Sequence, residues 1–373
     1  MGLTSNAVLA VAVFLAVALF TVTVWLWPKL AARSAGAVAG RIGLLLATQL
    51  LVFVSVGLLA NHSFLFYGSW DDLWGRQQEL GTVVDHGAGT GATGGVLRTG
   101  AQRPDVPGGS RPAKVGRIDK VVVAGRASGI DSPAYVYLPP EYFQPAYARR
   151  TFPAVMVLTG YPGTAENLIK GLRYPRTAQE RVRAGASQPM VLVMLRPTVA
   201  PPRDTECVDV PGGPRTETFF AEDLPGAVSR TYRVGDRARN WGVMGNSTGG
   251  YCALKLGLHH PDRFAASAGL SAYYKAAEDP TTGDLFHGDD AARRRADLLW
   301  SLDHRAPADS SFLVTTSLKG EGNLRATRQF IDRVKAPARV SSIVLDSGGH
   351  NFNTWRREIP GALEWMSGRL SAE

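Results

Sequence analysis

The chain is poor in cysteine, and its two thiols exclude a disulfide-rich scaffold and a zinc site built from four cysteines. Histidine is scarce at seven, which leaves few candidates for proton chemistry. Acids are outnumbered: Lys and Arg total 41 against 32 Asp and Glu, giving a net charge of +9 and a pI near 9.7. That excess is diffuse. Its one tight run, Arg293-Arg294-Arg295, reads as a solvated helix face, and no nucleic-acid motif accompanies it. Hydrophobic residues at 45% against 20% charged residues exclude disorder throughout.

Charge is missing altogether from Met1 to Pro28. Within that stretch, residues 7–27 are almost wholly apolar and long enough as a helix to cross about 30 Å of hydrocarbon. A second uncharged run covers residues 42–60, with Gln49 as its strongly polar member, expected to face the partner helix. Core helices seldom stay apolar on every face for so long. A cleaved signal peptide fits poorly, because there is no basic leader and a second span follows. The connector carries Lys29, Arg33 and Arg41 and no acid, which places it on the cytoplasmic side and everything after residue 60 outside. Asp71, Asp72, Glu79 and Asp85 against Arg76 on the far flank agree, and Trp25, Trp27, Phe66, Tyr67, Trp70 and Trp74 fit interfacial belts. Residues 1–62 are thus expected to form a transmembrane hairpin, with the membrane as a partner.

Residues 63–116 read as an interfacial segment and a Gly- and Pro-rich linker. Gly89-Thr-Gly91-Ala-Thr-Gly94 matches a dinucleotide fingerprint by letters. It lacks the preceding strand and following helix that fingerprint needs, so no cofactor is expected. From residue 117 the texture changes. Residues 121–123 and 134–138 suggest an antiparallel pair. Residues 154–158, 190–195, 241–244, 312–316 and 342–345 are buried-strand runs, with helical patterns at 220–232, 250–260 and 324–334. Alternation of this kind predicts an α/β fold, a three-layer sandwich around a mostly parallel sheet, over residues 117–373.

The strongest motif is Gly245-Asn246-Ser247-Thr248-Gly249-Gly250, with an apolar strand before it and a helical pattern after it. That is the context of a nucleophile elbow, in which glycines allow a strand to turn into a helix around an exposed serine. The expected chain order is serine, acid, histidine. His62 abuts the membrane, His86 lies in the linker, and His259 and His260 end the nucleophile helix, where cations suit the dipole. His287 and His304 sit in a polar insertion (residues 275–310, with a helix expected over 290–302), leaving His350 in a Ser-Gly-Gly-His-Asn loop as the general base. Glu321, in the loop after the strand at 312–316, is the preferred acid, and Asp332 on the next helix is the alternative. The Thr248 and Tyr161 N–H groups are the expected oxyanion donors. Cys207 and Cys252 form either a disulfide or one buried and one loop thiol. No metal site is expected.

Residues 117–373 resemble the α/β-hydrolase esterases related to esterase D and to the mycobacterial mycolyltransferases of the antigen 85 group. The resemblance rests on Val136-Tyr-Leu-Pro-Pro-Glu-Tyr142, Gly160-Tyr161, Gly245 to Tyr251, His259-His-Pro-Asp-Arg-Phe264, and Gly349-His350 with Trp355. It implies Ser247 as nucleophile, His350 as base, Tyr161 and Thr248 as oxyanion donors, and an acyl ester or lipid-type substrate. The acid would fall on Asp332 by the mycolyltransferase pattern and on Glu321 by that of other esterases. Thr159 stands where those transferases carry an aspartate for the sugar acceptor, which points away from trehalose. The reading is a membrane-anchored serine esterase or acyltransferase. Its alternatives are a mycolyltransferase-like enzyme and a catalytically silent envelope-binding domain.

Overall fold

A computed structural model describes residues 5–64, 95–107, 109–199 and 203–372. The chain divides into two compact units, Met1–Val84 and Asp85–Glu373. The expected belt residues Phe66, Tyr67, Trp70 and Trp74, the acidic flank, His86 and the glycine motif at 89–94 lie outside the described residues.

The first unit is a helical hairpin of α1 (Asn6–Leu26) and α2 (Ala35–Phe64), both long and apolar enough to cross a membrane. Ser5 caps α1 through its side chain, and the Ser34 hydroxyl accepts from the Ala37 N–H at the start of α2. α2 therefore begins before Arg41, earlier than the hydropathy alone indicates, because Ala35, Ala37 and Ala39 favour the helix despite Gly36. The helices meet along small and hydroxylated residues. Ala12, Ala16, Thr23 and Thr48 are buried, and the two threonine hydroxyls lie 3.2 Å apart. Each also bonds its own chain, to Leu19 O and Leu44 O. Gln49 is exposed, so the inward polar residue is its neighbour Thr48; hydropathy locates a span but not its rotation. Phe14, Phe20, Trp25 and Phe53 point outward and are exposed, as in a helix made for an apolar surround.

The second unit is built on one nine-stranded sheet. Its strands are β1 (Val96–Gln102), β2 (Arg117–Ala124), β3 (Asp131–Leu138), β4 (Ala154–Leu158), β5 (Val191–Leu195), β6 (Trp241–Asn246), β7 (Ala266–Leu270), β8 (Ser311–Ser317) and β9 (Arg339–Leu345). Their spatial order is β1-β2-β3-β5-β4-β6-β7-β8-β9, antiparallel from β1 to β5 and parallel from β5 to β9. β1 corrects the linker reading: part of the stretch at 63–116 is an edge strand of the sheet. It has a register shift between Arg98 and Gly100 and a mostly exposed face, so its sequence lacks a clean apolar alternation. β7 also escaped the sequence reading. Ala-Ser-Ala-Gly-Leu has little intrinsic strand preference and is set by burial on both faces.

The main helices are α3 (Tyr174–Arg183), α4 (Leu224–Thr231), α5 (Thr248–His259), α6 (Asp290–Arg295), α7 (Leu298–His304), α8 (Leu324–Arg333) and α9 (Phe352–Ser367). α4 continues a helical run from Thr216. The single helix expected over 290–302 is two, because Asp297 breaks the run and accepts from the Trp300 N–H as the cap of α7. α3 packs against α9, while α5 packs against α7, and α7 against α8. Alternation along β6 shows how these layers share the sheet. Val243 joins the core cluster that includes Tyr251 and Cys252 of α5. On the other face, a side chain at Gly242 would collide with Met366 of α9.

Candidate active site

β6 delivers Ser247 to the end of the sheet in a backbone conformation that side chains rarely adopt, with φ 55°. The Ser247 N–H is fixed by Leu270 O of the neighbouring β7 at 3.0 Å. The two glycines are required by contact rather than by flexibility. A Cβ at Gly245 would lie 2.5 Å from the Gly249 backbone, and one at Gly249 would strike the carbonyls of Leu158 and Thr159. Such a turn leaves Ser247 as the partly exposed residue in an otherwise buried run and opens α5 directly beneath it.

The parallel strands β8 and β9 end on the same side as β6, and their loops converge on the serine. His350 Nε2 lies 2.8 Å from Ser247 Oγ. The histidine loop is braced by the Gly348 N–H donating to Lys319 O and by Asn351, whose side chain caps α9. Gly348 has no room for a side chain, since a Cβ there would meet Ser317 Oγ at 2.6 Å. Trp355 meets the imidazole edge-on at 5.2 Å and donates its indole N–H to Ser271 Oγ. Glu321 stands under the ring, with Oε1 3.8 Å from His350 Nδ1, and its side chain is 2% exposed. The separation is too long for a hydrogen bond. Asp332 is exposed on α8, and among the described residues the ion pair of His350 is with Glu321 instead. The structure thus brings Ser247, His350 and Glu321 together and leaves Asp332 outside.

The loop after β4 presses against Ser247. A Cβ at Gly160 would lie 3.0 Å from Ser247 Cβ. Tyr161 follows, joined to Pro162 by a cis peptide, and the loop closes with the Gly163 N–H on Gly160 O at 2.8 Å. Thr248 opens α5, where a helix N-terminus offers N–H groups without intrahelical acceptors. Thr159 is 2% exposed and donates to Gly163 O at 3.1 Å, so its hydroxyl serves the loop.

Cys207 and Cys252 are bonded, with Cα atoms 5.7 Å apart, and this ties the loop after β5 to α5. The loop is strained there, since Glu206 and Cys207 both have positive φ. Glu206 is buried and accepts from the Tyr273 hydroxyl at 2.6 Å. The same tyrosine contacts the Thr248 side chain. Burial, with Asp204 beside it, pushes Glu206 up to about 8. On the far side of the helix, buried Glu217 accepts from Lys255, His259, His260 and Arg295. These histidines are therefore not free dipole cations. Burial pushes His259 down to about 4, so it is neutral at pH 7 and its contact is a hydrogen bond. Arg295, from the run expected to be solvated, reaches the same carboxylate. Neither carboxyl cluster has a sequence signature, because both join residues far apart in the chain. Among the described residues, no three His, Cys, Asp or Glu side chains form a group able to hold a metal ion.

Solved structures share this architecture. An S-formylglutathione hydrolase from Agrobacterium tumefaciens is 20% identical, with a TM-score of 0.55 over 69% of this chain and 96% of its own. A ferulic acid esterase is 18% identical, with a TM-score of 0.58 over 68% and 98%. The fluorophosphonate-binding serine hydrolase F of Staphylococcus aureus is also 18% identical, with a TM-score of 0.54 over 68% and 98%. An uncharacterized protein of Corynebacterium glutamicum is 24% identical over 274 residues, covering 69% of this chain and 63% of that one. The chain thus spans less than two thirds of that relative's length. Residues 126–366, well over half of the chain, match the family model described as "Putative esterase", and the protein belongs to that esterase family.

Proposed function

We propose that the protein is a membrane-anchored serine esterase, with Ser247 as nucleophile, His350 as general base and Glu321 as the acid behind it. The observation that carries this reading is the 2.8 Å contact between His350 Nε2 and Ser247 Oγ at a strained elbow. In the first step Ser247 Oγ attacks the ester carbonyl and His350 Nε2 takes its proton. The carbonyl oxygen becomes an oxyanion held by the Thr248 and Tyr161 N–H groups. Collapse breaks the ester C–O bond, and His350 returns the proton to the departing alkoxide, leaving an acyl-serine. Water, deprotonated by the same imidazole, then releases the acid and regenerates the serine. Glu321 orients the imidazole and stabilises its positive charge in each half-reaction.

An alcohol in place of water would give acyl transfer by the same steps. Thr159 argues for hydrolysis, because its hydroxyl is buried and committed to Gly163 O rather than presented to an acceptor. The hairpin acts as the anchor. Lys29 and Arg33 in its connector, with Arg41 in the second turn of α2, hold the connector in the cytoplasm and carry the catalytic unit to the outer side. The Cys207–Cys252 bond suits that oxidising side. Turnover of short acyl esters by the wild type and by Ser247→Ala tests the enzyme reading. Loss of at least three orders of magnitude in the variant is expected, and comparable turnover would refute it.

A further inference from the structure

A second carboxyl group lies behind the first. Glu358 sits on α9, two turns beyond His350, and is fully buried where the helix crosses β7 and β8 and packs on α3. The groups that face it are Glu321 from the loop after β8, Thr315 from β8, Tyr174 from α3 and Arg357 from its own helix. Thr315 Oγ1 already accepts from the Ser271 N–H at 2.8 Å, so its own proton is free to turn toward Glu358. It approaches without full hydrogen-bond geometry. Both oxygens of Glu358 and both of Glu321 are buried with no hydrogen-bond partner, and so are the hydroxyls of Tyr174 and Ser317.

Four carboxyl oxygens shut away from water, with the Thr315 hydroxyl and His350 Nδ1 near them but outside hydrogen-bond geometry, are unfavourable as two anions. One proton resolves the conflict. It turns one carboxyl into a donor and leaves the other charged beneath the imidazole. Burial first, and the charge of Glu321 as well, push Glu358 up to about 8 against the pull of Thr315 and Arg357. Glu358 is thus the proton holder at neutral pH.

We infer that Glu358 is a positioning residue of the catalytic site: a neutral buried acid that hydrogen-bonds Glu321, directly or through an enclosed water, and fixes its carboxylate under His350. The inference rests on the reading of Ser247, His350 and Glu321 as a triad. It accounts for a catalytic acid that is sealed from solvent yet whose oxygens otherwise accept no hydrogen bond.

The test compares Glu358→Gln, Glu358→Leu and Ser247→Ala in the full-length protein, with p-nitrophenyl butyrate as substrate. Glu358→Gln keeps a donor without a charge and should retain kcat within about threefold. Glu358→Leu removes the donor and should lower kcat by about tenfold or more with KM little changed. Wild-type kcat/KM should fall as pH rises through about 8, because ionised Glu358 no longer donates to Glu321 and repels its carboxylate from the position under His350. Glu358→Gln should lack that fall. Wild-type kcat in Glu358→Leu, or an unchanged alkaline limb in Glu358→Gln, overturns the inference. If Glu358→Leu does not fold, the Glu358→Gln profile alone decides. Activity surviving in Ser247→Ala would instead overturn the triad, so the two failures are distinguishable.

Discussion

The ammonium group of Lys255 lies 2.7 Å from the carboxylate of Glu217, and both side chains are buried. Lys255 also donates to Cys207 O, so one cation links α5, the disulfide loop and the helical run that starts at Thr216. Removing one partner of a buried pair leaves the other charge uncompensated. Lys255→Met should therefore lower unfolding stability by about 3 kcal/mol, read from denaturant unfolding at pH 7. A loss under about 1 kcal/mol would mean that His260 and Arg295 suffice for Glu217.

The same carboxylate sets an acid limit. Burial would raise Glu217, but the charge of Lys255 and the hydrogen bonds from His259 and His260 hold it well below its ordinary value of 4.5. A depressed carboxyl contributes stability that is present above 4.5 and lost as pH falls through the folded value.

Glu206 has the opposite sign. Raised to about 8 from 4.5, it keeps a proton in the folded state that the unfolded chain releases, so its contribution is full below 4.5 and is lost as pH rises to about 8. Glu206→Gln still accepts from Tyr273 but cannot ionise. Its melting temperature should gain on the wild type steadily between pH 5 and pH 8. A constant difference across that range would contradict the assignment.

For the triad acid, Glu321→Gln should lose far more kcat than Asp332→Asn, on the order of a hundredfold or more against little change. The two share a region of sequence but not an environment, since Glu321 is sealed under His350 and Asp332 is exposed. A larger loss in Asp332→Asn would reverse the choice.

These contrasts show how far the sequence reaches. The elbow was legible because steric demands at Gly245 and Gly249 leave few alternatives to glycine, and β4 because its run is apolar throughout. β7 was not legible, as its small residues carry no pattern of their own. Thr48 was missed in favour of Gln49, since composition does not fix helix rotation. Glu358 reads in sequence as an ordinary helical acid beside two arginines, and only the packing of α9 on the sheet buries it.

Topology has its own measurement. A reporter fused after residue 373 should behave as extracytoplasmic, and the unreduced protein should carry the Cys207–Cys252 bond, which closes a loop of 45 residues and contributes about 4 kcal/mol by chain entropy. A reporter active only in the cytoplasm would refute the orientation drawn from Lys29, Arg33 and Arg41.

The central claim is that Ser247 is a nucleophile activated by His350. A fluorophosphonate probe applied to membranes containing the full-length protein, followed by peptide mapping, tests it most directly. The account predicts a single phosphonylated peptide modified at Ser247, labelling slowed by orders of magnitude in His350→Ala, and none in Ser247→Ala. An unlabelled wild type whose fold is intact, or a label on another residue that persists in Ser247→Ala, would contradict it.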